Sequence, residues 1–169
     1  MRAIHVLFYQ PDPDDHWINH LVTAFSPPYS HCDLQFDDDT ATSIYQNETV
    51  YMQKKNFTRN NYARVSLTMN DTEYNKVKTF CVNAHKAKIG FDMLGMVCSS
   101  LPMGLLRGSP RDKTFCSRYI LEALQQSGRQ DLLDFNPLTT PPSTLYYALQ
   151  GLGKGFIHVP EVRMQRLQG

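Results

Sequence analysis

Charge of one sign is missing in excess: 17 Lys and Arg stand against 16 Asp and Glu, a formal net charge of +1. Nucleic-acid binders carry a basic surplus or a Lys/Arg run, and neither is present, so nucleic acid is not an expected partner. No apolar stretch approaches the length of a bilayer span. The opening residues MRAIHVLFYQ lack the apolar core and small-residue cleavage pattern of a secretory signal. An intracellular, cytoplasmic protein without a transmembrane anchor is therefore expected. Cys-x-x-Cys spacing is absent. The cysteines at 32, 81, 98 and 116 lie far apart, which argues against a structural zinc site, and a reducing compartment leaves them as free thiols. The sequons at Asn47, Asn56 and Asn70 then carry no glycan. His16 and His20 have the i, i+4 spacing of a zinc pair, but no glutamate follows His16, and a solvated helix face is the plainer reading. No metal or cofactor is expected. There is no internal repeat and no low-complexity tract.

What remains is a chain of 169 residues with 41% hydrophobic content, enough for one well-buried core and short for two. A single domain over residues 1–169 is expected, with 161–169 as a flexible tail. Residues 3–10 read as an apolar strand ending at Pro11-Asp12-Pro13-Asp14. A helix over about 15–25 follows, with Trp17, Leu21, Ala24 and Phe25 assigned to its inner face. Residues 31–36, about 41–53 and 62–69 read as consecutive strands of an antiparallel meander, the last alternating with Ala63, Val65, Leu67 and Met69 on one side. Asn70-Asp71-Thr72-Glu73 has the form of a capping box and opens a helix to about residue 85, with Tyr74, Val77 and Cys81 inward and His85 exposed. A short helix at 91–99 leads into the apolar, breaker-rich loop of residues 101–110, where Met103, Leu105 and Leu106 either pack on the core or line a substrate groove. A helix at 143–149 and a strand at 156–159 complete the chain.

Two residues carry candidate chemistry. Cys116 opens a helix whose apolar positions Tyr119, Ile120, Ala123 and Leu124 recur at helical spacing and whose end is marked by Gly128. A thiol in the first turn feels the helix dipole, which favours thiolate; a small apolar group there also simply packs. His31 lies on a strand that alternates with period two. Cys32, Leu34 and Phe36 share one face, and His31, Asp33 and Gln35 the other. On that polar face the ordinary expectation is a solvated imidazole.

The order of these pieces resembles one family. Ser-His-Cys-Asp-Leu-Gln-Phe-Asp-Asp-Asp-Thr-Ala-Thr-Ser, ending at Ser43, is similar to the "SHVEL-F-DG---S" segment of circularly permuted NlpC/P60 (papain-like) thiol hydrolases, which include the YiiX/YebB-like and lecithin-retinol-acyltransferase-like enzymes and several viral proteins. Phe91-Asp92-Met93-Leu94-Gly95-Met96 resembles its "YD--G" helix start, Phe115-Cys116-Ser117-Arg118 its "(F/W)CSE" nucleophile, and Asn136-Pro137 through Pro142-Ser143-Thr144-Leu145-Tyr146 its "P---SP--LY". The likeness spans roughly residues 3–149, and the permutation places histidine before cysteine. Arg118 stands where the family has an acid, and Asp33 where it has glutamate.

The resemblance implies an α+β permuted papain-like fold, an antiparallel sheet with the nucleophile helix packed across it, of the YiiX/YebB-like kind; among the group's viral members the setting is the host cytoplasm. It implies a cysteine peptidase or amidase working through a thioester, with Cys116 as nucleophile and His31 as base and then acid. Ser43 is taken as the third member, with Gln46 or Asp33 as alternatives; Asp33, Arg118, Met103 and Leu105 are the candidate substrate-binding residues. The expected partner is a peptide or amide substrate. Three other readings stay open: a lipid acyl hydrolase or acyltransferase, a catalytically silent binding module on the same fold, and a metal-binding protein using His16, His20 and His31.

Overall fold

Strand β1 (Arg2–Tyr9) reads RAIHVLFY, and Ile4, Val6, Leu7 and Phe8 are all fully buried. A strand this apolar is accommodated in the middle of a sheet, where both backbone edges find partners. In the computed structural model, which describes residues 1–58, 61–99 and 110–151 and the backbone of a last strand at 156–158, β1 pairs on one side with β2 (His31–Phe36) and on the other with β5 (Tyr62–Met69). With β3 (Thr40–Ser43), β4 (Tyr51–Lys54) and β8 (Phe156–His158) they form a sheet of order β4-β3-β2-β1-β5-β8, antiparallel at every pair. The architecture is mixed α and β.

Two expectations about the sheet are corrected. Only β2, β3 and β4 form a meander; β5 crosses back to β1, in register from Arg2↔Met69 to Tyr9↔Tyr62, because β1 would otherwise be an edge with unpaired amides. The single strand expected over about 41–53 is two strands. Asn47 adopts φ 61, a left-handed conformation that asparagine tolerates better than most residues, and the chain reverses so that Ser43 faces Tyr51.

The helices follow their patterns with one exception. Helix α2 (Asp71–Lys86) opens on a complete capping box, the Asn70 side chain accepting from the Glu73 N–H and the Glu73 carboxylate from the Asn70 N–H, both at 2.9 Å. It buries Tyr74, Val77, Cys81 and Ala84. Helix α1 (Trp17–Phe25) is turned differently from the expected face: Ile18 and Val22 are buried, whereas Trp17 is 60% exposed and Phe25 is also exposed. The partners explain the rotation, since Ile18 and Val22 pack with Met96 and Phe115 in a small satellite cluster and Trp17 stands outside it.

Helix α3 (Met93–Ser99) is capped by Asp92, whose carboxylate accepts from the Gly95 N–H at 2.9 Å. Two short parallel strands, β6 (Gly90–Phe91) and β7 (Lys113–Thr114), lead into α4 (Cys116–Gln125). Helix α4 ends with Gly128 at φ 81, the left-handed residue its position required. Tyr119, Ile120, Ala123 and Leu124 of α4 join Leu34, Phe36, Val65 and Leu67 of the sheet in the main core; each fully buried Leu, Ile, Val or Phe side chain contributes roughly 1.5–3 kcal/mol. The chain closes through α5 (Gln130–Leu133), a 3-10 turn at Pro137–Thr139, and α6 (Pro142–Gly151). Met103 and Leu105, the loop around them, and the tail of 161–169 lie outside the described residues. Among the described residues no helix is long and apolar enough to cross a membrane.

Candidate active site

Cys116 is the first residue of α4, after an extended Phe115 that offers no side-chain cap, so the thiol occupies the positive end of the helix. The β6–β7 ladder holds the approach to that position, with the Asp92 N–H donating to the Thr114 carbonyl at 2.7 Å. His31 opens β2 opposite Tyr9 of β1. The loop before it is anchored by α6: the Ser143 hydroxyl accepts from the Tyr29 N–H at 2.9 Å and donates to the Ser26 carbonyl at 2.7 Å. Tyr146 packs its ring against both Phe8 and Tyr29. The segment at 142–146 thus acts on the site by fixing the entrance to β2.

These elements bring Cys116 and His31 into contact, at 2% and 8% exposure respectively. The histidine on the polar face is therefore buried, not solvated. Its Nε2 lies 3.5 Å from Oδ2 of the fully buried Asp33. Neither atom has a partner in hydrogen-bonding geometry, so the pair is an ionic contact and not an aligned hydrogen bond. The Tyr45 ring stacks on the imidazole at 4.4 Å between centroids and 18° between planes, and Tyr51 stacks in turn on Tyr45 at 5.6 Å.

The remaining surroundings of Asp33 come from β4 and the residue after it. The Tyr51 hydroxyl donates to Oδ1, and Lys55 Nζ sits 3.4 Å from the same oxygen. Lys55 also donates to the Tyr45 hydroxyl at 2.6 Å and lies over the Phe57 ring at 4.7 Å. A buried carboxylate with an ammonium, a phenol and an imidazole around it is compensated on several sides, the condition under which a buried charge is tolerated.

The charge states follow from these contacts. Burial works against an ionised Asp33, but His31, Lys55 and Tyr51 outweigh it and hold the carboxyl below its ordinary value. Burial likewise opposes a charged imidazole, yet Asp33 and then Cys116 outweigh it and raise His31 to about 10. The Cys116 thiol is pushed well below its ordinary value, first by a hydrogen bond from the Cys32 thiol and then, against burial, by His31. Cys32 is displaced upward by burial and by the Cys116 charge. Between the two thiols the helix start and the imidazole both stand beside Cys116, so that is the sulfur that ionises. These directions favour a thiolate beside an imidazolium beside a carboxylate, the arrangement that nucleophilic attack and proton return require.

The other expected site residues fall elsewhere. Ser43 does not orient the imidazole: its hydroxyl donates to the Cys32 carbonyl at 2.6 Å and is fully buried there, tying β3 to β2. Gln46 lines the cleft beside Cys116 without bonding to His31. Arg118, expected to bind substrate, is turned along its own helix to Glu122 at 2.8 Å and to the Lys113 carbonyl at 3.3 Å, and it does not line the cleft. Two residues after Cys116, the arginine lies about 200° round α4, on the side away from the face that Cys116 presents, which removes it from the site. Asp33 faces His31 within the sheet and is likewise not among the cleft residues. His16 lines the cleft, but among the described residues no group of three or more His, Cys, Asp or Glu side chains is assembled to hold a metal ion. Tyr45, which the resemblance to the family also offered beside Ser43 and Gln46 for the third position, stacks on the imidazole; Tyr51 and Lys55 were not singled out in the sequence, because they arrive from β4 and the residue after it, across a turn, and no short spacing links them to His31.

The cleft has a volume of about 370 Å³ and is lined on one side by α1 and on the other by residues following β3. Comparison of the chain with protein-family models, with curated proteins and with solved structures finds no match.

Proposed function

We propose that this protein is a cysteine-dependent hydrolase of amide or peptide-like bonds, with Cys116 as nucleophile, His31 as the acid and base, and Asp33 as the group that orients and charges His31. The observation that carries this reading is the contact series Cys116, His31, Asp33 at a helix start, opening on a cleft. In the proposed reaction the Cys116 thiolate attacks the substrate carbonyl carbon, and the backbone N–H at the helix start donates to the developing oxyanion. His31 gives its proton to the leaving amine as the C–N bond breaks, leaving a thioester. Water, losing a proton to His31, then attacks the thioester, and Cys116 departs as thiolate.

The order of histidine strand before cysteine helix, and the antiparallel sheet under that helix, support placing the fold with the permuted papain-like NlpC/P60 hydrolases. Among the described residues no basic amphipathic helix is present that would seek a membrane, and an amide substrate is therefore put ahead of a lipid ester. Wild type and Cys116→Ala are to be incubated with a peptide, isopeptide and amide panel and with phospholipid vesicles. Cys116-dependent amide cleavage is expected, slowed roughly 10²- to 10⁴-fold by His31→Ala. Cys116-dependent deacylation of phospholipid with no amide cleavage would transfer the proposal to lipid chemistry, and no turnover of either, together with a Cys116 no more reactive than Cys81, would make the fold a binding module.

A further inference from the structure

Five apolar side chains, Ile18, Val22, Ile44, Phe91 and Met96, line the cleft beside Cys116. No Lys, Arg, Asp or Glu is among the described residues that line it. At about 370 Å³ it stands at the small end of ligand sites. Among the described residues the charges that line it, the Cys116 thiolate and the His31 imidazolium, answer each other, so a charged substrate group moved into the space gives up water without gaining a free counter-charge, which is strongly unfavourable.

One polar group in the cleft lacks a partner. Ser30 is 4% exposed and lines the cavity, and its hydroxyl makes no hydrogen bond within the protein. Its position is fixed, because its own N–H donates to the Tyr9 carbonyl at 2.9 Å and it directly precedes His31. Buried hydroxyls are satisfied in the great majority of cases, so an orphan on a residue that lines a cleft points to a ligand acceptor. Resting on the thiol-hydrolase reading, we propose that this cleft selects an uncharged, apolar acyl group, aliphatic or aromatic, and that the Ser30 hydroxyl donates a hydrogen bond to a carbonyl oxygen of the bound substrate. An apolar pocket with one convergent donor orients a substrate amide while rejecting acidic and basic side chains.

The test uses N-acylated amino-acid chloromethyl ketones with Phe, Leu, Lys or Glu side chains. In each, the Cys116 thiolate forms a C–S bond as the C–Cl bond breaks and chloride leaves. Iodoacetamide, which needs no pocket, serves as the reference, and every rate is read as a ratio to it. The Phe and Leu labels should modify Cys116 at least about tenfold faster than the Lys and Glu labels, the discrimination expected of an apolar site. Ser30→Ala should lower the Phe ratio by roughly fivefold to tenfold, the loss of one hydrogen bond, and Ser30→Thr should restore most of it. Asn19→Glu, on the partly exposed wall of the cleft in α1, should raise the Lys ratio at least about tenfold by supplying a counter-charge.

Equal ratios for all four side chains, or a Phe ratio unmoved by Ser30→Ala, would overturn the inference while leaving the nucleophile in place. Failure of iodoacetamide to prefer Cys116 over the other thiols would overturn both. Circular dichroism of each variant excludes loss of fold as the cause of a slower label.

Discussion

The two faces of β2 are both buried, and they are buried on opposite terms. Cys32, Leu34 and Phe36 sit in the main core with Ile120 and Leu124 of α4, where removal of apolar surface from water is favourable in itself. His31, Asp33 and Gln35 are equally withdrawn from solvent, and there burial is unfavourable until each group is answered. Gln35 donates to the Lys55 carbonyl at 3.1 Å; Asp33 is answered by Tyr51, Lys55 and His31. The apolar face holds the strand in place, and the polar face uses that rigidity to keep an imidazole charged beside a thiol. Apolar packing belongs to one face and charge compensation to the other, within a strand of six residues.

The comparison is broken most severely by Asp33→Asn. The His31 value of about 10 depends on the Asp33 charge, so the imidazole should fall back toward its ordinary value of 6.5 and the alkaline limb of Cys116 chemistry should move down from about 10. The sign for folding agrees: a raised histidine contributes stability in full below 6.5 and loses it as pH rises through about 10, so this substitution deletes a contribution present at neutral pH. Turnover should drop roughly 10²- to 10⁴-fold. Stopped-flow labelling across pH measures the limb; an unmoved limb would leave Asp33 a structural residue only.

Leu34→Ala tests the other face. The residue is fully buried against α4, and truncation should cost about 2–5 kcal/mol in urea denaturation. The folded fraction should keep the wild-type pH profile of Cys116 labelling, and a shifted profile would mean that the faces are not separable.

Tyr51→Phe removes one donor to Asp33 and leaves the ring stack on Tyr45 in place. Asp33 is depressed partly by that donor, so its carboxyl should rise toward its ordinary value of 3.8 and the acid limb of labelling should shift to higher pH. The loss of stability should be about 1–3 kcal/mol. The effect is smaller than that of Asp33→Asn because Lys55 and His31 remain.

The smallest effect is expected at Trp17, which is 60% exposed on α1. Trp17→Ala should change stability by no more than about 0.5 kcal/mol. A loss comparable with Leu34→Ala would mean that α1 turns its indole to the core after all.

Most elements were legible before folding was considered, because local rules are written locally. The alternation of β5, the Asn70 capping box of α2, the helical spacing after Cys116 and the left-handed Gly128 all depend on neighbours within a few positions. Where local rules were ambiguous they misled. The inner face of α1 was assigned to Trp17 when the satellite cluster around Met96 and Phe115 takes Ile18 and Val22, and one long strand was read where Asn47 turns the chain.

The same division runs through the site. The amino-acid sequence by itself determined that a cysteine begins an amphipathic helix, that a histidine and an aspartate share a strand face, and that the order of elements puts that strand before that helix. Tertiary structure alone decided that Asp33 and not Ser43 faces the imidazole, that Arg118 is turned to Glu122, and that Tyr51 and Lys55 converge on the carboxylate from across a turn while Tyr45 stacks on the imidazole. The physical reason is that ionisation in a buried site is governed by charges and donors within a few ångströms in space, and separation along the chain carries no such distance once the sheet has brought its strands together.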